Sequence, residues 1–162
     1  MYKYSRVEDI SPYENFIKKN SCIAVIPARG GSKSIKKKNL KLLKGKPLIY
    51  YSINHALISK KIDSVYVTSD SKEILDIAIK YGAAPILRPP ELADDIIHPE
   101  PSVIHVILEF FKVNNFLPEC TIMLQPTSPI RELNDIDNSI QDILSGKYNS
   151  STLSTRPDKI KL

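Results

Sequence analysis

CIAVIPARGGSKSIKKKN, residues 22–39, is the stretch from which the rest of the chain is read. It opens on Ile23-Ala24-Val25-Ile26, an apolar run rich in β-branched residues and of the length of a buried strand. Pro27 cannot donate a ladder hydrogen bond and is expected to end that strand. Arg29, Gly30, Gly31, Ser32 and Lys33 follow at once, and then Lys36, Lys37, Lys38 and Asn39. Adjacent glycines let successive backbone N–H groups turn towards one point, which makes an anion-binding concavity. One Arg and four Lys around that turn add long-reaching positive charge. The pattern predicts a strand opening into a triphosphate cradle, with a plain solvated turn as the competing reading. The P-loop is excluded, because Lys33 follows Ser32 with no glycine at the required offset, and the G-x-G-x-x-G fingerprint is absent.

Composition sets the frame for that loop. The chain has 162 residues, one domain's worth, enough to bury roughly two thirds of its unfolded surface. Hydrophobic content of 42% and charged content of 25% are those of an ordinary globular protein. The net charge of +5 is concentrated in residues 33–46, which favours a local site for an acidic small molecule over a long nucleic-acid track. Cys22 and Cys120 each open an apolar run and read as buried, reduced thiols with no zinc spacing. Residues 1–20 are polar and lack the apolar segment of a secretory signal, and no run has the length of a membrane span. The expectation is a cytoplasmic protein with an arm over 1–20 and an α/β domain over 21–162.

Along the chain, strands alternate with helices. A short helix is expected after Ser11-Pro12, and an extended piece and turn over residues 40–46. Pro47 then opens a helix to about Ser59, with Ile49, Ile53, Ala56 and Leu57 inward. Residues 64–70 form the second strand. Residues 71–81 form the second helix, with Leu75, Ala78 and Ile79 inward and Gly82 closing it. Residues 85–88 read as a third strand, and 89–101 as a long proline-rich functional loop. A periodic helix over 102–112 directs Ile104, Ile107, Leu108 and Phe111 to the core. The fourth strand is 121–125, and Asn134 caps a helix carrying Ile136, Ile140, Ile143 and Leu144. Residues 151–154 read as a fifth strand.

This order implies right-handed βαβ crossovers and an α/β fold: a mostly parallel, Rossmann-like three-layer sheet with helices on both faces. Ligands bind such sheets beyond the carboxyl ends of the strands. The polar residues gather there: Arg29 and Lys33 after strand one, Thr68, Ser69 and Asp70 after strand two, Arg88 after strand three, and Gln125, Thr127 and Ser128 after strand four. Convergence of four strand ends is a stronger signal than any one motif.

At these residues the sequence resembles the acylneuraminate cytidylyltransferases, the CMP-sialic acid synthetases. Residues 26–33, Ile-Pro-Ala-Arg-Gly-Gly-Ser-Lys, with Lys38-Asn39, are similar to that family's opening signature. Thr68-Ser69-Asp70 resembles its polar end of strand two. Residues 87–95, LRPPELADD, resemble its R-P-x-E-L-A-x-D block, and 124–131, LQPTSPIR, its L-Q-P-T-S-P-L-R. The blocks stand in family order. Two departures are Lys36 where the family has Pro, and Asp95-Ile96-Ile97-His98-Pro99 in place of D-T-x-S, which removes hydroxyls available to a base.

The resemblance implies a nucleotide-diphospho-sugar transferase type of fold and transfer of CMP from CTP to a nine-carbon α-keto acid sugar, with release of diphosphate and use of Mg²⁺. Carried over by position, Arg29 and Lys38 hold the triphosphate, assisted by Gly30, Gly31, Ser32 and Lys33. Asn39 and Arg88 face the cytidine, and Gln125 touches the acid sugar. The family's metal-binding aspartates and its dimerisation segment lie beyond Leu162, so the resemblance implies a chain truncated at its C-terminus, no metal ligand within it, and a homodimer for full-length members. The sugar is sialic, legionaminic or pseudaminic acid, and no residue chooses among them.

Each assignment has a structural competitor. Arg88 pairs with Glu91 or Asp94; Asp70 caps the following helix; Gln125 bonds its own turn; Arg131 orients local structure through Glu132 or Asp135. His98 and His105 lack metal spacing, His105 reading as structural, and Tyr50 and Tyr51 as packing. The competing functions are a related sugar nucleotidyltransferase, a catalytically silent nucleotide-binding or assembly module, and a nucleic-acid binder. The last is disfavoured because Lys36 to Lys38 have no interleaved aromatics.

Overall fold

A computed structural model of the chain describes residues 11–31, 35–92, 99–132 and 134–147. Its centre is strand β1 (Ile17–Pro27), which takes in the expected apolar run and begins several residues before it, after a 3-10 helix over Ser11–Phe16. Every residue from Cys22 to Ile26 is at most 1% exposed. Both faces of a parallel strand are covered by helices, so its sequence is a continuous apolar run and not an alternating one.

After the glycine turn a 3-10 helix (Lys38–Leu40) leads into a hairpin of β2 (Leu42–Leu43) and β3 (Lys46–Pro47). Pro47 stands immediately before helix α1 (Leu48–Ile58), as its fixed φ favours. Then follow β4 (Ser64–Ser69), α2 (Lys72–Lys80), β5 (Ala84–Leu87), a 3-10 turn over Pro90–Leu92, α3 (Glu100–Asn114), β6 (Leu117–Met123) and α4 (Asp135–Leu144). Gly82, at φ +89°, closes α2 in the left-handed conformation that glycine adopts without strain.

The main sheet has the order β5-β4-β1-β6, and every pairing in it is parallel. Cys22, Ala24 and Ile26 face α1, α2 and α4, packing with Ile53, Ile74, Ala78 and Ile140. Ile23 and Val25 face α3, packing with Val106 and Phe110. Successive Cβ atoms of β1 thus serve two cores. The chain moves from β1 to β4 to β5 in one direction, then returns past β1 to β6. That reversal puts α3 on the opposite face, as right-handed crossovers require. The three layers and the doubly covered sheet are those expected from the sequence.

Three inward faces differ from expectation. Leu57 of α1 is 48% exposed, and Ser52 is buried in its helix instead. Ile79 of α2 is 57% exposed, while Ile74 takes the core position. On α3 the fully buried residues are Ser102, His105, Val106 and Phe110, not the stripe through Ile104, Leu108 and Phe111. α3 is apolar around most of its circumference, so two stripes fit a helical period and only the neighbours decide between them. Phe111 meets Phe16 edge-on at 5.3 Å, outside the sheet core. β6 begins at Leu117, ahead of the expected Thr121, and ends at Met123. The expected strand at 151–154 lies outside the described residues. Tyr50 packs on Tyr51 and Tyr81, with centroids 5.4 and 4.8 Å apart.

Candidate functional site

In an open parallel sheet the crevice for a ligand lies where the strand order reverses, here between the carboxyl ends of β1 and β6. A cavity of about 260 Å³ occupies that place. Arg29, Lys38, Asn39, Arg88 and Gln125 all line it, with Pro27, Leu92, Pro99 and Pro126 as its apolar wall and Ser102 and Thr127 adding hydroxyls. Five of the residues singled out in the sequence therefore meet on one surface. No carboxylate belongs to the cavity lining among the described residues.

The turn after β1 is tied down at both ends. Ala28 N–H donates to Thr68 O at 3.0 Å, extending the β1–β4 ladder past Pro27. The Gly30 N–H donates to Asp70 Oδ1 at 2.8 Å. A Cβ on Gly30 would sit 2.7 Å from Ser71 Cβ, so the approach of this turn to the start of α2 requires glycine. Asn39, 8% exposed, donates from Nδ2 to Arg29 O at 3.0 Å and so joins the far end of the loop to its beginning. Lys37, at φ +54°, swings its ammonium away to Glu73 Oε2 at 2.6 Å on α2. Gly30 and Gly31 do not line the cavity; the Gly30 amide serves Asp70, and Gly31 is exposed. Ser32 and Lys33 lie outside the described residues.

Asp70 thus does not cap α2. Ser71 occupies that position, and its N–H is taken by Ser69 Oγ at 3.0 Å. Asp70 instead joins the ends of β1 and β4, a role hinted at only by the presence of an Asp at a strand end.

Arg88 continues β5 by donating its N–H to Ser69 O at 2.8 Å, which carries its side chain under the cavity floor. The guanidinium is 7% exposed; Nη2 donates to Thr68 O at 2.8 Å, Nη1 to Leu92 O and Nε to Thr68 Oγ1, both at 3.5 Å. Two backbone carbonyls and the Thr68 hydroxyl, not the expected Glu91, are its hydrogen-bond partners among the described residues; Asp94 lies outside them. Burial pushes its pKa down, the Asp70 charge opposes this and the Arg29 charge adds to it. An arginine keeps its charge through such shifts, so a desolvated cation borders the cavity.

On the far side, Leu124 N–H donates to Val25 O at 2.9 Å, and the chain then turns through Gln125-Pro126-Thr127-Ser128. Thr127 Oγ1 donates to Gln125 Oε1 at 3.5 Å, the turn bond weighed above as a competitor. Arg131 reaches partners other than those expected: Nη2 donates to Gln125 O at 2.8 Å and Nη1 to Ser52 Oγ at 3.2 Å. Ser102 lines the cavity without having carried any signal of a site, just after the proline-rich loop, whereas Leu92 lies within that loop and within the 87–95 block. His105 is buried on α3 beside Glu109, and desolvation pushes its pKa down while that carboxylate opposes. His98 lies outside the described residues. Cys22 and Cys120 are free thiols, both buried, opposite each other on β1 and β6. The hydrogen bond between them pushes the Cys22 thiol up and Cys120 down.

Comparison with known proteins agrees with this fold. Residues 23–160 match a family model described as cytidylyltransferase. The CMP-N,N'-diacetyllegionaminic acid synthase of Legionella pneumophila is 40% identical over 86% of this chain and 59% of its own length. The pseudaminic acid cytidylyltransferase of Campylobacter jejuni serotype O:2 is 43% identical over 69% of this chain and 47% of its own. The chain thus spans about half the length of these curated relatives. Among solved structures, a CMP:2-keto-3-deoxy-manno-octonic acid synthetase complexed with CTP superposes with a TM-score of 0.64 at 23% identity, covering 78% of this chain and 48% of that one. At that identity the likeness is one of fold.

Proposed function

The chain belongs to the cytidylyltransferase family, and from that premise we propose that its cavity holds CTP for transfer of CMP to the anomeric hydroxyl of a nine-carbon α-keto acid sugar. The observation that carries the proposal is the meeting of Arg29, Lys38 and Arg88 on one cavity whose described lining has no carboxylate. Cations gathered on one concave wall attract a polyanion such as a nucleoside triphosphate.

In the proposed reaction the hydroxyl oxygen bonds to the α-phosphorus as the bond from that phosphorus to the bridging oxygen breaks. Diphosphate leaves with the electron pair, and the hydroxyl proton is lost to solvent. Transfer of this kind depends on positioning and on neutralising charge as it develops. Arg29 and Lys38 supply that charge at the triphosphate. Arg88 and Asn39 face the cytidine, and Gln125 faces the acid sugar. Gly30 supports the site through Asp70, by fixing the turn that carries Arg29. Use of CTP would place the work in the cytoplasm.

Mg²⁺ belongs to the proposal on chemical grounds, as the ion that accompanies a nucleoside triphosphate. Among the described residues there is no group of three or more His, Cys, Asp or Glu placed to bind a metal.

The second reading is a nucleotide-holding module that is catalytically silent, and it differs from the first in forming no product. The test is incubation with CTP, Mg²⁺ and N-acetylneuraminic, N,N'-diacetyllegionaminic or pseudaminic acid, followed by mass spectrometry. Equal amounts of a CMP-linked sugar and diphosphate are expected from the first reading. CTP retained without product supports the second, and no retention of CTP contradicts both.

A further inference from the structure

We propose that Arg131 and Ser52 are positioning residues that aim the Gln125 side chain at the acid substrate, an inference that rests on the reading of the cavity given above. The peptide between Gln125 and Pro126 has no N–H, because proline supplies none. Its carbonyl is therefore the one polar handle by which that unit is oriented. Three donors hold it: Arg131 Nη2 at 2.8 Å, Ser52 Oγ at 3.2 Å and Ser128 N at 3.2 Å. The Ser128 bond is the turn's own. The other two come from outside the turn, and Arg131 Nη1 donates to Ser52 Oγ at 3.2 Å, closing a triangle.

Ser52 is 0% exposed, fixed in the packed face of α1. It transmits the position of that helix to the turn after β6. Residues on either side of the clamped peptide, Gln125 and Pro126, line the cavity, as does Thr127. Neither Arg131 nor Ser52 lines it, so both act through Gln125. With its Oε1 accepting from Thr127, Gln125 offers its amide N–H groups outward, and the carboxylate of an acid sugar is the matching acceptor. A small rotation of the 125–126 peptide would move that amide by more than a hydrogen bond tolerates.

The test compares wild type with Arg131→Ala, Arg131→Lys, Ser52→Ala, Gln125→Ala and the double variant Arg131→Ala/Gln125→Ala. Calorimetry measures the Kd for CTP, and then for N-acetylneuraminic, N,N'-diacetyllegionaminic and pseudaminic acids in the presence of CTP. NMR follows the line widths of the Gln125 side-chain amide without ligand. Arg131→Ala is expected to weaken acid-sugar binding about tenfold, the equivalent of one net hydrogen bond, while the CTP Kd stays within about twofold. Arg131→Lys is expected to recover part of the loss, and the double variant to be no weaker than Gln125→Ala alone. The Gln125 amide lines broaden when the clamp is removed.

Equal losses of CTP and sugar affinity, or unchanged sugar affinity, would overturn the proposal. Should wild type bind none of the acid sugars, the transfer reading of the cavity fails, and retained CTP binding leaves the nucleotide-holding one. The amide lines then decide the clamp alone, unchanged widths in Arg131→Ala overturning it. Should Arg131→Ala not fold, Ser52→Ala, which removes one donor and no charge, carries the same comparison.

Discussion

The turns after β1 and β6 border the same cavity and are held by opposite chemistry. After β1, a carboxylate accepts from the backbone: Asp70 takes the Gly30 N–H, and the Asn39 amide ties the loop's far end to Arg29 O. After β6, a cation and a hydroxyl donate to the backbone: Arg131 and Ser52 hold the Gln125 carbonyl. In each turn the anchors stand apart from the side chains that line the cavity, Asn39 excepted. The difference teaches that charge near the site has two separate uses. Arg29 and Lys38 bring charge to the cavity lining, Asp70 and Arg131 use theirs on backbone geometry, and Arg88 does both.

Substitutions can break or sharpen that division. The largest effect is expected at Arg88→Met, which removes the desolvated cation and its bonds to Thr68 and Leu92. CTP affinity should fall about a hundredfold in calorimetry, the loss of a charge-assisted contact. Unchanged affinity would break the assignment of the basic wall. Next comes the glycine pair. Gly30→Ala forces a methyl against Ser71 Cβ and should cost about 1–3 kcal/mol in urea denaturation. Gly31→Ala meets nothing within 4 Å and should stay within about 0.5 kcal/mol. Equal costs would mean that the β1 turn is not anchored as described.

Adjacent lysines then separate ligand from scaffold. Lys38→Ala should weaken CTP about tenfold, as loss of one charge contact. Lys37, whose exposed ammonium pairs with Glu73, should change CTP affinity little when replaced by Ala and stability by under about 1 kcal/mol. The smallest effect concerns the strands beneath both turns. Cys22 and Cys120 should resist a thiol reagent in the native protein and react, at similar rates, only on unfolding, where the folded-state shift of Cys22 is lost. Rapid native modification would show that β1 and β6 part readily.

Much of this was legible in the sequence because strand and turn signals are local. The run 23–26, Pro47 before a helix and Gly82 after one each carry their own stereochemistry. The sheet followed from alternation of elements, and four cavity residues, Arg29, Arg88, Gln125 and Thr127, followed from asking what stands at strand ends, while Lys38 and Asn39 came with the family resemblance. Helix faces were less legible. On α3, Val106 and Phe110 face the sheet while Leu108 does not, a choice set by neighbours distant in sequence. The anchors were harder still: Asp70 lies forty positions from Gly30, and Arg131 reaches Ser52 across seventy-nine. No periodicity encodes such pairs. Nor did Ser102 announce itself, since a serine at a helix start reads first as a cap.

The measurement that bears most directly on the central claim is CTP binding by calorimetry with Mg²⁺, against ATP and UTP, for wild type and Arg29→Ala. Arg29 lines the cavity on the anchored β1 turn, where the cationic wall begins. Selective binding of CTP by wild type, abolished in Arg29→Ala, is the predicted result. Equal affinity for all three nucleotides, or undiminished CTP binding by the variant, would contradict it.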